Sequence, residues 1–362
     1  MVRKYLVPVF MFMLVSGCSG NPQNEMEKGK SESVETSGDS AKQGNAEVLL
    51  TKLNVPWSIQ KINDTFYMSE RVGAIVTWEN NKMTRNKVAL KEKLSDKPEA
   101  GLLGFVLAPD FEKSKEAFAY YTYEQNGKSV NRIVVLQHDN QQWIEKRLLL
   151  DGIPSGDYHH GGRMKIGPDN KLYATTGDAR EDEIAQDKSS LGGKILRLNL
   201  DGSVPEDNPF PNSYIYSLGH RNPQGLAWGE KGQLYSSEHG PSAHDEINKI
   251  TAGDNYGWPL ITGDEKKAGM ETPIFHSGST TWAPSGIAYH EGILYAAALR
   301  GEAVKAFDLN KGEVSNVFTG AGRIRDVLMD GDYLYFVSNN TDGRGNPDQK
   351  DDKLYRIPLS SL

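Results

Sequence analysis

Gly292-Ile293-Leu294-Tyr295, Gly232-Gln233-Leu234-Tyr235 and Asn170-Lys171-Leu172-Tyr173 repeat one phrase, a polar or glycine turn followed by a short run ending on tyrosine. Looser versions stand at Asp64-Thr65-Phe66-Tyr67, Ala117-Phe118-Ala119-Tyr120 and Asp332-Tyr333-Leu334-Tyr335. The six tyrosines are separated by 53, 53, 62, 60 and 40 positions. Gly, Asn and Asp suit tight turns, and aromatic residues fit a pleated, half-buried surface, so each phrase reads as a turn entering a strand. Other alternating segments lie between them, such as Arg132-Ile133-Val134-Val135-Leu136 and Lys194-Ile195-Leu196-Arg197-Leu198, and no long stretch keeps a helical period. Six similar units of about 40 to 60 residues, each with several short strands, predict an all-β fold, a six-bladed β-propeller. A blade of that size cannot bury both its faces alone, and closing the ring supplies the missing neighbours. Val48-Leu49-Leu50 and Leu354-Tyr355-Arg356-Ile357, from opposite ends of the chain, are expected to pair and close it. A β-sandwich is the competing architecture, since a period alone does not close a ring.

The rest of the composition narrows the class. A net charge of −7 over 362 residues, with no basic block, argues against nucleic acid as a partner. Thirty-seven glycines and six tryptophans suit a turn-rich β protein. The chain has one cysteine, Cys18, and it stands at a telling place. Arg3 and Lys4 precede an apolar run from Tyr5 to Val15, the charge-then-hydrophobe order of an export signal. That run is shorter than the roughly 20 residues that span a bilayer. It ends in Leu14-Val15-Ser16-Gly17-Cys18, which resembles the bacterial lipobox, where cleavage leaves a lipidated cysteine. The bland alternative is a buried apolar segment that contains a thiol; position, flanks and cleavage residues favour the signal. Residues 1–17 are therefore expected to be removed and Cys18 to carry lipid on the extracytoplasmic side of the cell membrane. Residues 18–47 are polar and should form a tether, and 48–362 the propeller. With Cys18 committed to lipid, no thiol remains for a disulfide, a thiolate metal site or a covalently attached haem.

Five loops concentrate reactive side chains. Tyr158-His159-His160-Gly161-Gly162-Arg163 is followed by a strand and then Thr176-Gly177-Asp178. Glycines around a histidine let a ligand approach, and a later carboxylate can fix its tautomer, which makes a candidate general base. A histidine pair also suits a hydrogen-bonded loop or a metal site. Leu218-Gly219-His220-Arg221-Asn222-Pro223-Gln224-Gly225 is a dense polar cluster between apolar strands. Ser237-Glu238-His239-Gly240-Pro241 continues to Asp245-Glu246 and Asn255-Tyr256-Gly257-Trp258-Pro259. Its carboxylates and carbonyls are hard oxygen donors of the kind calcium takes, although the spacing is not that of an EF-hand. Leu299-Arg300-Gly301 and Gly322-Arg323-Ile324-Arg325-Asp326 complete the set. Alternation puts Arg323 and Arg325 on one face, where they could clamp a ligand with several carboxylates; solvation at a surface is the bland account.

Taken in order, these loops resemble the glucose/sorbosone dehydrogenase family, the soluble quinoprotein glucose dehydrogenases and aldose sugar dehydrogenases. The resemblance runs from Pro56-Trp57-Ser58 through Ala100-Gly101-Leu102-Leu103-Gly104 to Arg323-Ile324-Arg325-Asp326, and is most specific at Gly219–Gly225 and Glu238–Glu246. It implies a six-bladed propeller that binds pyrroloquinoline quinone (PQQ) and calcium. Residue by residue, it implies that His159 is the general base and Asp178, nineteen positions later, the carboxylate that orients it. It implies that Arg221 and Asn222 contact the cofactor, Arg221 also over the reactive carbonyl, and that Arg323 and Arg325 hold its acid groups. Gly240 and Pro241 match carbonyl ligands of the cofactor's calcium; Glu246 and Tyr256 match ligands of a structural calcium, the tyrosine through its carbonyl. The implied reaction oxidises the anomeric carbon of an aldose to a lactone, with hydride passing to the quinone and electrons leaving to a separate acceptor.

Two positions depart from the family pattern. Glu99 stands where many members carry glutamine, and a carboxylate beside a tricarboxylate quinone needs a proton or a cationic partner. Arg300 stands where the glucose enzyme has lysine, keeping the charge but presenting a planar fork. Two other readings stay open from the sequence, a metal-dependent lactonase and a non-catalytic glycan- or partner-binding propeller. The first would need side-chain carboxylates converging on a channel metal. The second would have no use for His159, Asp178, Arg221 and Arg323 together.

Overall fold

The computed structural model describes Val2 and residues 46–139 and 142–362. Apart from Val2, the signal, Cys18 and the tether to residue 45 lie outside the described residues. Among the described residues, twenty-four strands make six four-stranded antiparallel blades, the outer strands of the first two joined by a short parallel pairing of Val88 with Trp143 and Ala89 with Ile144. Blade 1 is Pro56–Ile62, Thr65–Glu70, Ala74–Glu79 and Lys82–Ala89; blade 2 is Leu102–Leu107, Glu116–Gln125, Lys128–Asp139 and Gln142–Pro154. Blade 3 is Met164–Ile166, Leu172–Thr176, Lys194–Leu198 and Ile215–Leu218; blade 4 is Pro223–Trp228, Leu234–Glu238, Glu246–Ile250 and Phe275–His276. Blade 5 is Pro284–His290, Ile293–Ala298, Ala303–Asp308 and Glu313–Thr319. Blade 6 takes Ile324–Asp330, Tyr333–Ser338 and Leu354–Pro358, and its fourth strand, Glu47–Leu50, from the other end of the chain. The closing register pairs Glu47 with Arg356 and Val48 with Tyr355, and Arg356 bonds the Glu47 carboxylate. The first strands of successive blades pack side by side, the sixth against the first, so the ring is closed and the sandwich alternative is excluded.

The repeated aromatic falls in the second strand of every blade. One slip shows in the phrase: counting from the start of the strand, the other blades have tyrosine second or third, whereas blade 2 has Phe118 third, with Tyr120 two residues on and on the same face. These residues wedge between blades. The apolar core is six clusters, one per interface, and Tyr67, Phe118, Tyr173, Tyr235, Tyr295 and Tyr335 each belong to a different one. Each blade thus buries its faces only against its neighbours, and the whole ring is needed for any interface to be complete.

Arg163 ties the inner strands together beneath the loops. Its buried guanidinium donates to Gln224 O at 2.8 Å, Trp57 O at 3.3 Å, Ser58 Oγ at 3.2 Å and Ser285 Oγ at 3.4 Å, and pairs with Asp326 at 3.1 Å. From blade 3 it therefore reaches blades 4, 1, 5 and 6. Asp326 also accepts from Ile59 N at 2.8 Å, so the buried charge pair has hydrogen bonds beside its mutual attraction, which helps offset the cost of burying ions.

Candidate active site

His159 sits in the link between blades 2 and 3 with φ +65°, a left-handed conformation uncommon for a residue with a side chain. What permits it is Gly177: a Cβ there would lie 1.8 Å from the His159 carbonyl oxygen. The close approach puts His159 Nδ1 2.7 Å from Asp178 Oδ1. Asp178 is fully buried, and it also accepts from Trp258 Nε1 at 2.8 Å and Arg180 N at 2.9 Å. Burial raises its pKa, but the bonds from His159 and Arg180 and the nearby Arg221 outweigh that and hold it below the usual carboxylate range. An ionised carboxylate only accepts, so Nδ1 carries the proton and, in neutral imidazole, Nε2 keeps its lone pair. That is the tautomer a base needs.

His160 has the opposite chemistry. Its Nε2 lies 2.9 Å from Pro98 O, which can only accept, and its Nδ1 lies 2.7 Å from Ser155 Oγ. Both nitrogens are engaged, and burial pulls its pKa down. His160 is a neutral loop strut.

A cavity of about 320 Å³ opens beside this pair, lined by Trp57, Arg71, Glu99, Leu103, His160, Gly161, Gln224, His239, Ala283, Leu299, Arg300, Arg323, Arg325 and Arg344. Five of these are arginines. Arg323 donates through Nε and Nη2 to Asp342 Oδ2 at 3.0 and 2.8 Å. Arg325 donates twice to Asn339 Oδ1, at 3.1 and 3.0 Å, and once to Gln224 Oε1 at 2.9 Å. Alternation about Ile324 thus sends both side chains inward. Burial draws Arg325 down to about 9, still charged at neutral pH. Arg300 is exposed at the cavity's edge. Glu99, with φ +65°, accepts from Arg344 Nη1 at 2.5 Å; burial opposes its ionisation, yet the Arg344 charge prevails and holds its pKa at about 2. The partner it needs as a carboxylate is therefore present. Against five guanidiniums stand two carboxylates, Glu99 in the lining and Asp342 behind it as the partner of Arg323, while burial keeps His160 and His239 neutral. The cavity carries a surplus of about three positive charges.

Arg221 and Asn222 stand between this cavity and the Glu238–Glu246 segment. Arg221 donates through Nη1 to Gly240 O at 2.7 Å, lies 5.3 Å from the Trp258 ring centre, and bonds Glu238 through its backbone N–H. Asn222 Oδ1 accepts from Gly161 N at 3.0 Å, tying the polar cluster to the histidine loop. The segment itself is built around Asp245, whose carboxylate accepts from Gly240 N at 3.0 Å and from Thr281 Oγ1, Trp282 N and Ala283 N within 2.8 Å. A second space, of about 10 Å³, is lined by Arg221, Glu238, Gly240, Pro241, Glu246 and Tyr256 among others. There burial and the Glu238 charge push Glu246 upward. The Tyr256 hydroxyl donates to Lys249 O at 2.7 Å, which leaves its main chain, not its phenol, to serve a ligand. Two buried polar atoms in this region, Arg221 Nε and His239 Nε2, have no hydrogen-bond partner.

Of the residues singled out from the sequence, Glu99, Arg300, Arg323 and Arg325 line the large cavity, and Arg221, Gly240, Pro241, Glu246 and Tyr256 line the small one. His159, Asp178 and Asn222 line neither; they are joined to the large cavity through Gly161 and to the small one through Trp258. The sequence gives no sign of Arg71, Arg344 or Asp342, and Trp258 is legible there only as part of a calcium-like segment.

The model of the glucose/sorbosone dehydrogenase family matches residues 53–356. Aldose sugar dehydrogenase YliI of Escherichia coli is 32% identical over 83% of this chain and 91% of its own. Quinoprotein glucose dehydrogenase B of Acinetobacter calcoaceticus is 36% identical over 61% of this chain, which spans about half (54%) of that protein's length. The PQQ-bound form of aldose sugar dehydrogenase from Streptomyces coelicolor superposes with a TM-score of 0.81 at 37% identity, over 88% of this chain and 99% of that one. The chain belongs to the glucose/sorbosone dehydrogenase family.

Proposed function

We propose that this protein is a PQQ-dependent aldose dehydrogenase that oxidises the anomeric carbon of a sugar to a lactone and passes the electrons to a separate acceptor. The observation that carries the proposal is the surplus of about three positive charges in a 320 Å³ cavity next to an oriented histidine. A planar quinone with three carboxylates matches that surplus, and arginine forks suit carboxylate geometry. The volume lies at the low end of small-ligand pockets, roughly 300–1,000 Å³. The unpaired His239 Nε2, on the cavity wall, fits a polar ligand as well.

Arg71, Arg300, Arg323, Arg325 and Arg344 would hold the acid groups, with Glu99 present as an ion-paired carboxylate. When bound, the quinone supplies the two-electron acceptor for the hydride of the anomeric carbon. His159 Nε2 takes the proton of the anomeric hydroxyl, and the Asp178 carboxylate stabilises the imidazolium that results. Arg221, whose Nε has no partner, can turn from the Gly240 carbonyl toward developing negative charge. A calcium ion would draw on the Gly240 and Pro241 carbonyls, and a second on Glu246 and the Tyr256 carbonyl. Two observations support cations here: the oxygen donors are hard, and the Glu238 and Glu246 carboxylates line the same small space. Among the described residues no three His, Cys, Asp or Glu side chains converge as a metal cage, which counts against the lactonase reading. Cys18, as a lipid anchor, would keep this chemistry at the outer face of the cell membrane.

The test is reconstitution of the protein with PQQ and calcium, followed by aldose oxidation against a dye acceptor. Turnover that requires PQQ supports the reading; a protein that binds PQQ yet oxidises no aldose would leave it without its reaction.

A further inference from the structure

Glu99 and Arg344 are 245 positions apart and meet at the mouth of the arginine-lined cavity. The Arg344 side chain is 49% exposed and that of Glu99 22%, against 8% and 6% for Arg323 and Arg325. The buried arginines are fixed by several protein acceptors: Asp342 for Arg323, Asn339 and Gln224 for Arg325. Arg344 has a single side-chain acceptor, Glu99 Oε1, and otherwise rests 5.7 Å from the ring centre of Tyr158, the residue before His159. Among the arginines of this site that pair with a carboxylate, Arg344 can change partner at least cost, because it gives up one rim ion pair and no buried hydrogen bond.

We propose that the Glu99–Arg344 pair is a rim latch that sets how tightly the cavity holds a polycarboxylate. Arg344 binds a carboxylate of the incoming ligand; Glu99 is its positioning residue, holding the guanidinium over the mouth and competing with the ligand for it. This rests on the reading of the cavity as a site for a carboxylated quinone. Two consequences follow from charge alone. Neutralising Glu99 leaves one more uncompensated cation for the ligand, whereas removing Arg344 leaves a bare carboxylate facing it.

The test is equilibrium binding of PQQ and, separately, of citrate to the full chain without sugar, by calorimetry at two salt concentrations. Glu99→Gln is expected to tighten both ligands at least tenfold, and Arg344→Met to weaken both at least tenfold and flatten the salt dependence. Adding Glu99→Gln to Arg344→Met should recover part of the loss by removing the bare carboxylate. A purely structural role would move both single variants the same way. Equal affinity in all proteins, or weaker binding by Glu99→Gln, overturns the latch even if PQQ binds and the quinone reading stands. Citrate following the pattern while PQQ binds none of the proteins would uphold the latch and refute the quinone. Binding of neither ligand to any of the proteins overturns both.

Discussion

Replacing Asp178 with asparagine exchanges one oxygen of the carboxylate for an amide nitrogen and tests how His159 works as a base. In the wild-type protein the 2.7 Å contact places the proton on Nδ1. An asparagine amide can donate to Nδ1 instead, which moves the histidine proton to Nε2 and removes the basic lone pair. The fixed charge is lost as well. With charge centres about 4 Å apart and an effective dielectric near 20, a carboxylate stabilises the imidazolium by about 4 kcal/mol. At about 1.4 kcal/mol per decade, kcat should fall by about 10³-fold. KM should change little, because Asp178 does not line the cavity. The assay is dye-coupled sugar oxidation by the reconstituted variant, with PQQ binding measured in parallel to show that the site survives. A variant with intact PQQ binding and kcat within tenfold of wild type would refute the assignment of His159 and Asp178 as base and orienter.

Three further outcomes follow from the geometry. Gly177→Ala puts a methyl group against the His159 carbonyl, so it should cost about 1–3 kcal/mol in urea denaturation and depress kcat more than KM, the strain falling on the histidine. Arg163→Met strands Asp326 at the centre of the ring and should lose about 3–5 kcal/mol of stability, while Arg300→Met at the exposed edge should change it by less than about 0.5 kcal/mol. Burial lowers Lys165 in the folded state to about 8, below the ordinary lysine value, with Lys194 lowered likewise. Between about pH 8 and 10 the unfolded chain then holds more protons than the folded one, so stability should rise with pH across that window. Lys165→Met should flatten the rise in denaturation midpoints, and an unchanged slope would contradict it.

What could be read before the structure was whatever is local along the chain. The aromatic phrase marks the second strand of each blade because it combines a turn and a pleated strand within four residues. Even its slip, Tyr120 for Phe118, keeps the face, since two residues is one full strand period. The inward pair Arg323 and Arg325 follows from the same alternation, and the two closing strands from their apolar patterning. The Arg163 hub and the Glu99–Arg344 pair were not legible, because each is created by ring closure between blades far apart in sequence. Trp258 shows a further limit: its motif reads as part of a calcium-like segment, while its indole N–H bonds the Asp178 carboxylate. A side chain's partner is decided by where its loop lands, which short motifs do not encode. Glu99 shows how structure removes a difficulty the sequence raises, by supplying Arg344 as its counter-charge.

The central claim is that the arginine-lined cavity holds a quinone within reach of an oriented base so that a sugar can be oxidised there. The most direct measurement is the anaerobic addition of an aldose to PQQ-loaded protein with no external acceptor, following the cofactor's absorbance. Stoichiometric reduction, one sugar oxidised per quinone and abolished by His159→Ala while PQQ stays bound, is the result this account predicts. A loaded protein whose cofactor spectrum no aldose alters would contradict it.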